Sequence, residues 1–474
     1  MTTVKVPIFN PVYKNVDKTT ANDTNYRVMD GYLDEQGATN VRPGLLSAGV
    51  LDGSLLSAID GLFWWDVGER IMAVSNGEIW NININFNGSN LSSGGGVSVT
   101  PGVRPTFATD GTTLFFAGRS RIVQTNGTAA TTFISDADAP TNVSHIAILD
   151  GYLIANNIGD DKFYWSELED LTNWSATDFA QAGSDPDAIN AFHVFRKELF
   201  FFGRKSVEIW QNDGQTPFSR VDGGFLETGC IAPYSIINTD NAIMWFSDKK
   251  RFVRYSGGGI EPVSSPYDKE IDSFTAFADC TADRINIVGR TFYKFNFPSQ
   301  NRTLIYNETN DNWTEWGKYN PNSGEWENFI GATYVYSPVW NKHIIGSREN
   351  TGRFFYMSPD YLDDNGVKIK VSRTTGHVNY GTNNRKRSNA LTIRLRRGVT
   401  TGDGEPLMMF RVKNDDNTWS NERLISLGKK GDYRNIIRLN RLGMFRTRQY
   451  EFSATDAMGV IFSDAEEDIY IHGN

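Results

Sequence analysis

The chain has 474 residues, 39% of them hydrophobic and 13% aromatic, with a formal net charge of −9. That is ample apolar material for a core and excludes a chain disordered throughout. The negative balance excludes bulk attraction to nucleic acid or to acidic membranes.

No apolar run approaches the roughly 20 residues a membrane-spanning helix needs. The first residues, MTTVKVPIFNPVY, lack the charged and apolar regions of a signal peptide, so folding in a cytosol is expected. Cys230 and Cys280 form no CxxC and read as two free thiols in a reducing compartment.

Residues 1–50 read as a loop-rich arm, with NVRPGL (Asn40 to Leu45) as a turn. From Asp60 a unit appears: an Asp-Gly bend, an apolar strand, a polar turn, then a strand ending in an aromatic residue, here Trp80. It recurs from Asp110 (DGTTLFFAG) and from Asp150 (DGYLIANN). In RKELFFFGRKSVEIW, from Arg196, Leu199–Phe202 is a solid apolar run and Val207–Trp210 alternates after a Gly-containing turn. Further copies start at Asp240, Asp283 and Asn341.

Anchors spaced by about 40 to 58 residues match the period of four-stranded propeller blades. The chain is therefore expected to be all-β, with a β-propeller of six or seven blades over residues 51–366. Its inner strands, covered on both faces, should be the solid apolar runs. The one helix candidate is short, Ser166 to Ser175 (SELEDLTNWS).

From about Val367 the period lapses, and residues 367–474 read as an additional sandwich-like β domain. It is basic: about sixteen Lys and Arg lie between Arg385 and Arg448 against six Asp and Glu. Arg385, Lys386, Arg387, Arg394, Arg396 and Arg397 are the candidate partner-facing or phosphate-facing residues. Strand alternation puts Arg394 and Arg396 on one face, with Ile393 and Leu395 on the other. No aromatics interleave with these arginines, which favours a protein interface over a base-stacking platform.

No catalytic constellation emerges. The five histidines show no HxxxH or HExxH spacing, and there is no GxSxG elbow or GxxxxGK[ST] loop. SGGGVS and SGGGI read as turns. The carboxylate pairs Asp185/Asp187 and Asp363/Asp364, flanked by Gly, Pro and Asn, read as turn and cap residues, although a propeller glycosidase would need such pairs. NDDNTWSNE (Asn414 to Glu422) faintly resembles a sialidase Asp-box turn but occurs once and lacks the glycine. No cofactor, metal or catalytic residue is expected.

One block goes beyond pattern. Tyr164 to Ile236 carries Trp165-Ser166, Ser184-Asp185-Pro186-Asp187, Glu198-Leu199, Phe202-Gly203, Glu208-Ile209-Trp210, Pro217-Phe218 and Gly229-Cys230. It resembles the packaged-DNA stabilisation proteins, or tail accessory hub (nozzle) proteins, of short-tailed bacteriophages. RPGL near the N-terminus, Phe295 to Trp316, and the C-terminal block from Thr418 to Phe452 are similar to further parts of that pattern.

The resemblance implies a structural protein of the virion tail. It would form a homohexameric ring below the portal-adaptor complex and carry tail fibre, spike or plug proteins. Double-stranded DNA would pass along its channel without sequence-specific binding. It implies no catalytic residue. The alternatives read from the residues are a carbohydrate- or protein-binding propeller and a propeller glycosidase.

Overall fold

The computed structural model describes residues 2–6, 27–35, 37–51, 57–183, 187–214, 217–396, 405–415, 417–428, 436–456 and 461–472. Seven antiparallel four-stranded units follow one another along the chain. Six are built from consecutive strands and begin at Ile59–Trp65, Thr106–Thr109, Ile146–Leu149, Ala191–Phe195, Ile237–Asn238 and Thr281–Ile287. The seventh runs Gly331–Ser337, Lys342–Ser347, Arg353–Ser358, and takes its outer strand, Gly44–Val50, from the N-terminal segment. First strands of successive blades lie side by side, and Gly331–Ser337 meets Ile59–Trp65, so the seven close into a ring.

The solid apolar runs are the second strands. Leu114–Ala117, Ile243–Phe246 and most of Tyr152–Asn156 and Glu198–Phe202 are buried, because each is sandwiched between neighbouring sheets. The first strands alternate more, since one side looks toward the axis. Aromatic stacks stitch the blades together, such as Phe163 on Phe201 between blades 3 and 4, with ring centroids 4.1 Å apart.

The first two strands of a blade meet at tight bends. In blade 3 Asp150 and Gly151 both have positive φ, as a two-residue hairpin with the twist of its strands requires. In blade 4 the same bend is made by Arg196 and Lys197, neither of them glycine. The Arg196 guanidinium compensates by donating to the carbonyls of Asn241 and Ser256 in blade 5.

Three expectations are corrected. The anchors at Asp60 and Asp283 fall inside first strands, one strand ahead of the bend that marks the other five blades. The helix expected over Ser166–Ser175 is instead the meeting of two strands, Lys162–Glu167 and Asp170–Gln181. There Trp165 and Trp174 are buried in the sheet; the α-helix among the described residues is Asp268–Asp272.

The N-terminal segment is more than an arm. Besides the outer strand of blade 7, its strand Arg27–Met29 joins the outer strand of blade 6, Asn312–Glu315, to Val371–Thr374. One nine-stranded sheet therefore runs from blade 6 into the C-terminal region through Arg448–Ala454, Leu407–Asn414 and Arg423–Ser426. A second sheet faces it, ordered Gly31–Leu33, Thr39–Val41, Ile461–Ile471, Lys386–Arg396, Ile436–Phe445, with Thr2–Lys5 also on Ile461–Ile471. Leu391, Ile393 and Leu395 of the second sheet and Met408, Phe410, Phe452 of the first share one buried core, as in a sandwich.

Candidate functional site

The propeller axis is crossed by side chains. Arg104, on the approach to blade 2, donates from Nη2 to Asp283 Oδ1 at 2.6 Å and to the Ala282 carbonyl, both in the first strand of blade 6. Blades 2 and 6 are three positions apart in a seven-membered ring, so this ion pair bridges the centre. Lys294, fully buried, sits 2.9 Å from Asp283 Oδ2 and donates to the carbonyls of Gly331 and Ala332 in blade 7.

Burial alone would push the Asp283 carboxyl up, but Arg104 and Lys294 outweigh it and hold it below the usual carboxylate range. The same burial draws the Lys294 ammonium down to about 8, against the opposing pull of Asp283.

A second chord comes from the connection between blades 4 and 5. Tyr234 stacks on His145, at the start of blade 3, with centroids 5.1 Å apart and planes 22° from parallel. His145 Nδ1 lies 2.9 Å from Ser144 Oγ, and burial pulls its pKa down to about 3. His193, in blade 4, is lowered to about 4 by the same loss of solvent. These are structural histidines on an occluded axis. A passage bridged by single ion pairs cannot admit a duplex whose major groove alone is about 12 Å wide.

The signature residues between Trp165 and Cys230 interlock as architecture. Asp187 Oδ2 accepts from the Lys205 backbone N–H at 2.6 Å, and a Cβ on Gly203 would lie 2.5 Å from the same oxygen. The Cys230 N–H bonds to the Gly203 carbonyl, and Trp245 Nε1 donates to the Gly229 carbonyl at 3.1 Å. A Cβ on Gly229 would stand 2.2 Å from backbone atoms of Arg204 and Lys205. Glycine there is dictated by the close approach of two backbones. Cys230 and Cys280 are both buried free thiols.

RPGL has an equally physical basis. Arg42 is buried beside its turn and uses its whole guanidinium. Nε donates to Asp30 at 2.7 Å, Nη1 to Asp364 at 2.9 Å and to the Pro43 carbonyl, and Nη2 to Asp364 at 2.5 Å and to the Gly317 carbonyl. Asp30 also accepts from Trp326 Nε1 and from the Gly317 N–H. This node ties the N-terminal segment to blade 7 and to the Gly317–Asn328 hairpin region.

Asp364 is thus a structural partner, and Asp363 caps a turn by accepting from the Gly366 N–H at 2.8 Å. Asp187 caps as well, while Asp185 lies outside the described residues. Both SGGG stretches are turns with positive-φ glycines. Among the described residues no three His, Cys, Asp or Glu side chains converge on a metal-sized site, and no helix is long and apolar enough to cross a membrane.

The six basic candidates separate sharply. Lys386 does not face a partner: it is buried, and Nζ donates to the carbonyls of Thr382, Asn384 and Arg446. The cause is a bulge. Lys386 and Ser388 point inward, then the register slips between Ser388 and Ala390, and Leu391, Ile393 and Leu395 take over the inward face. Arg394 is exposed as expected, but Asp464 and Glu466 of Ile461–Ile471 pair with it at 3.1 and 3.2 Å. That last strand supplies acid the basic window did not contain.

Arg385 and Arg387 are exposed. Arg396 ends the strand, its side chain outside the described residues, and Arg397 lies outside them altogether. Sequence reasoning missed the buried Glu467, which accepts from Arg448, Ser388, Tyr380 and Tyr450 at 2.5–2.9 Å and anchors the sandwich interior.

No curated protein matches the chain. Among solved structures, the extracellular domain of the one-component system BT4673 from B. thetaiotaomicron is 11% identical with a TM-score of 0.45. That match covers 84% of this chain and 47% of the other, so this chain spans about half its length. YCF48 bound to D1 peptide is 10% identical, TM-score 0.39, covering 66% and 94% of the two chains. The N-terminal domain of Nup159 is 9% identical, TM-score 0.39, covering 70% and 98%. A family profile matches residues 53–359, described as bacteriophage P22 Gp10, beta-propeller, a phage stabilisation family. With about two thirds of the sequence inside that match, which takes in the whole seven-bladed ring except the strand Gly44–Val50, the chain belongs to the phage P22 Gp10 stabilisation family and is a phage structural protein.

Proposed function

We propose that this protein is the tail hub, or nozzle, of a short-tailed phage: a homohexameric ring below the portal-adaptor complex that retains packaged DNA, conducts it during ejection, and carries fibre, spike or plug proteins. The observation that carries this reading, beside the family, is the occluded propeller axis. A conduit for a duplex then has to lie between copies, which calls for a ring.

A net charge of −9 per copy suits a wall that lets DNA slide, because dense phosphate contacts would hold it back. No catalytic role is part of the proposal: the carboxylates on the axis and at the turns are committed to Arg104, Lys294, Arg42 and backbone N–H groups.

The test is DNA retention by packaged heads assembled without the protein, with and without purified protein added back, read as nuclease-resistant genome content. Restored retention supports the hub role. Heads that hold their DNA regardless would remove it.

A further inference from the structure

The outer face of the sheet containing Lys386–Arg396 is charge-balanced at one end and unbalanced at the other. At the balanced end Arg394 pairs with Asp464 and Glu466, and Arg438 with Asp468. At the other end Arg387 stands directly between Met444 on one neighbouring strand and Tyr470 on the other. Cross-strand partners of this kind share a face. Met444 is 45% exposed and Tyr470 51% exposed. Arg385, two residues earlier, is also exposed, and neither it nor Arg387 has a carboxylate partner among the described residues. An exposed Tyr-Arg-Met row with uncommitted guanidinium charge has the composition of a protein-binding surface.

The surface that matches it is on the same chain. The turn between Lys162–Glu167 and Asp170–Gln181 in blade 3 exposes Glu167, Glu169 and Asp170 around Leu168, itself 55% exposed. Asp170 caps the Thr172 N–H, and none of the three carboxylates has a cationic partner among the described residues. Acid surrounds an apolar residue on this turn, and arginine adjoins apolar residues on the face.

Position decides how they can meet. The face belongs to the region continuous with blade 6, and the turn to blade 3, so the two lie on opposite flanks of a seven-bladed ring. One chain cannot bring them together. Two different surfaces on opposite flanks make a head-to-tail contact, whose repetition gives a ring where the rotation between copies closes.

We propose that the Arg385–Arg387–Met444–Tyr470 face of one copy receives the Glu167–Asp170 turn of the next. This rests on the ring reading above and names the contact that builds it. The adjoining strand Ile436–Phe445 is a sheet edge with no strand on its outer side among the described residues, leaving room for the incoming turn.

The experiment is reciprocal charge reversal followed by sedimentation velocity at low and physiological salt. R385E/R387E and E167R/E169R alter exposed positions, and unchanged melting and far-UV dichroism will show that each variant folds. Each alone is expected to weaken self-association by about tenfold or more. Mixing the two variants, or combining all four changes in one chain, is expected to restore assembly, because each reversed surface then meets its opposite charge.

If the variants assemble like the unmodified protein, or mixing restores nothing, this contact is wrong and the ring reading stands. If the unmodified protein stays monomeric both free and on purified portal-adaptor complexes, the ring reading falls with it.

Discussion

Replacing Arg42 by Met tests the claim that blade 7 is closed by a charged clamp and not by strand pairing alone. Arg42 and Asp30 are fully buried, and Asp364 is 12% exposed. Methionine roughly keeps the aliphatic volume but removes all five donors. Asp30, fully buried, loses its Nε partner and keeps only neutral bonds from the Gly317 N–H and Trp326 Nε1, and Asp364 loses both guanidinium contacts. Breaking one side of a buried ion pair costs about 3–5 kcal/mol, most of it from the charge left behind.

The assay is urea unfolding by tryptophan fluorescence, with limited proteolysis of the N-terminal segment alongside, because a chain of this size need not unfold in one step. Adding Asp30→Asn to Arg42→Met should recover part of the loss by neutralising the orphaned charge. A loss below about 1 kcal/mol, the range of an exposed pair, would refute the clamp. So would the absence of any recovery in the double variant.

Two further outcomes follow from the same geometry. His145 holds its proton only below about pH 3 in the folded protein, against roughly 6.5 when unfolded. Between those values the unfolded chain binds the extra proton, so its contribution is complete above about pH 6.5 and lost as pH falls toward 3. That is a slope of up to about 1.4 kcal/mol per pH unit. His145→Phe keeps a ring on Tyr234 and should flatten that part of the stability–pH profile; an unchanged slope would assign it elsewhere. Gly229→Ala should cost about 3 kcal/mol, because the new Cβ meets rigid backbone of Arg204 and Lys205 and overpacking has nothing flexible to displace. A melting temperature equal to that of the unmodified protein would show that the approach relaxes.

The hairpin repeat was legible because it is local. Asp-Gly bends and solid runs such as Leu114–Ala117 and Glu198–Phe202 lie within one blade, and the all-β propeller follows from them. What stayed hidden is non-local. Gly44–Val50 belongs to blade 7 through pairing with Arg353–Ser358, some three hundred residues away, and nothing in its own composition marks it as a fourth strand. The Glu- and Leu-rich stretch after Trp165 favours a helix by propensity, yet burial of Trp165 and Trp174 within one sheet overrides it.

The basic segment misled for two reasons. A bulge, invisible to simple alternation, turned Lys386 inward, and the acid that neutralises Arg394 and Arg438 sits on the last strand, outside the window. The same bulge put Arg385 and Arg387, which share the parity of Ile393 and Leu395, on the surface.

The most direct test of the account is electron microscopy of DNA-filled particles, resolving the assembly below the portal. The account predicts a ring of six copies whose shared central bore carries the DNA density, with each propeller axis crossed by Arg104 and Asp283 and empty of nucleic acid. DNA density threaded through a propeller axis, or no ring of this protein at the portal vertex, would contradict it.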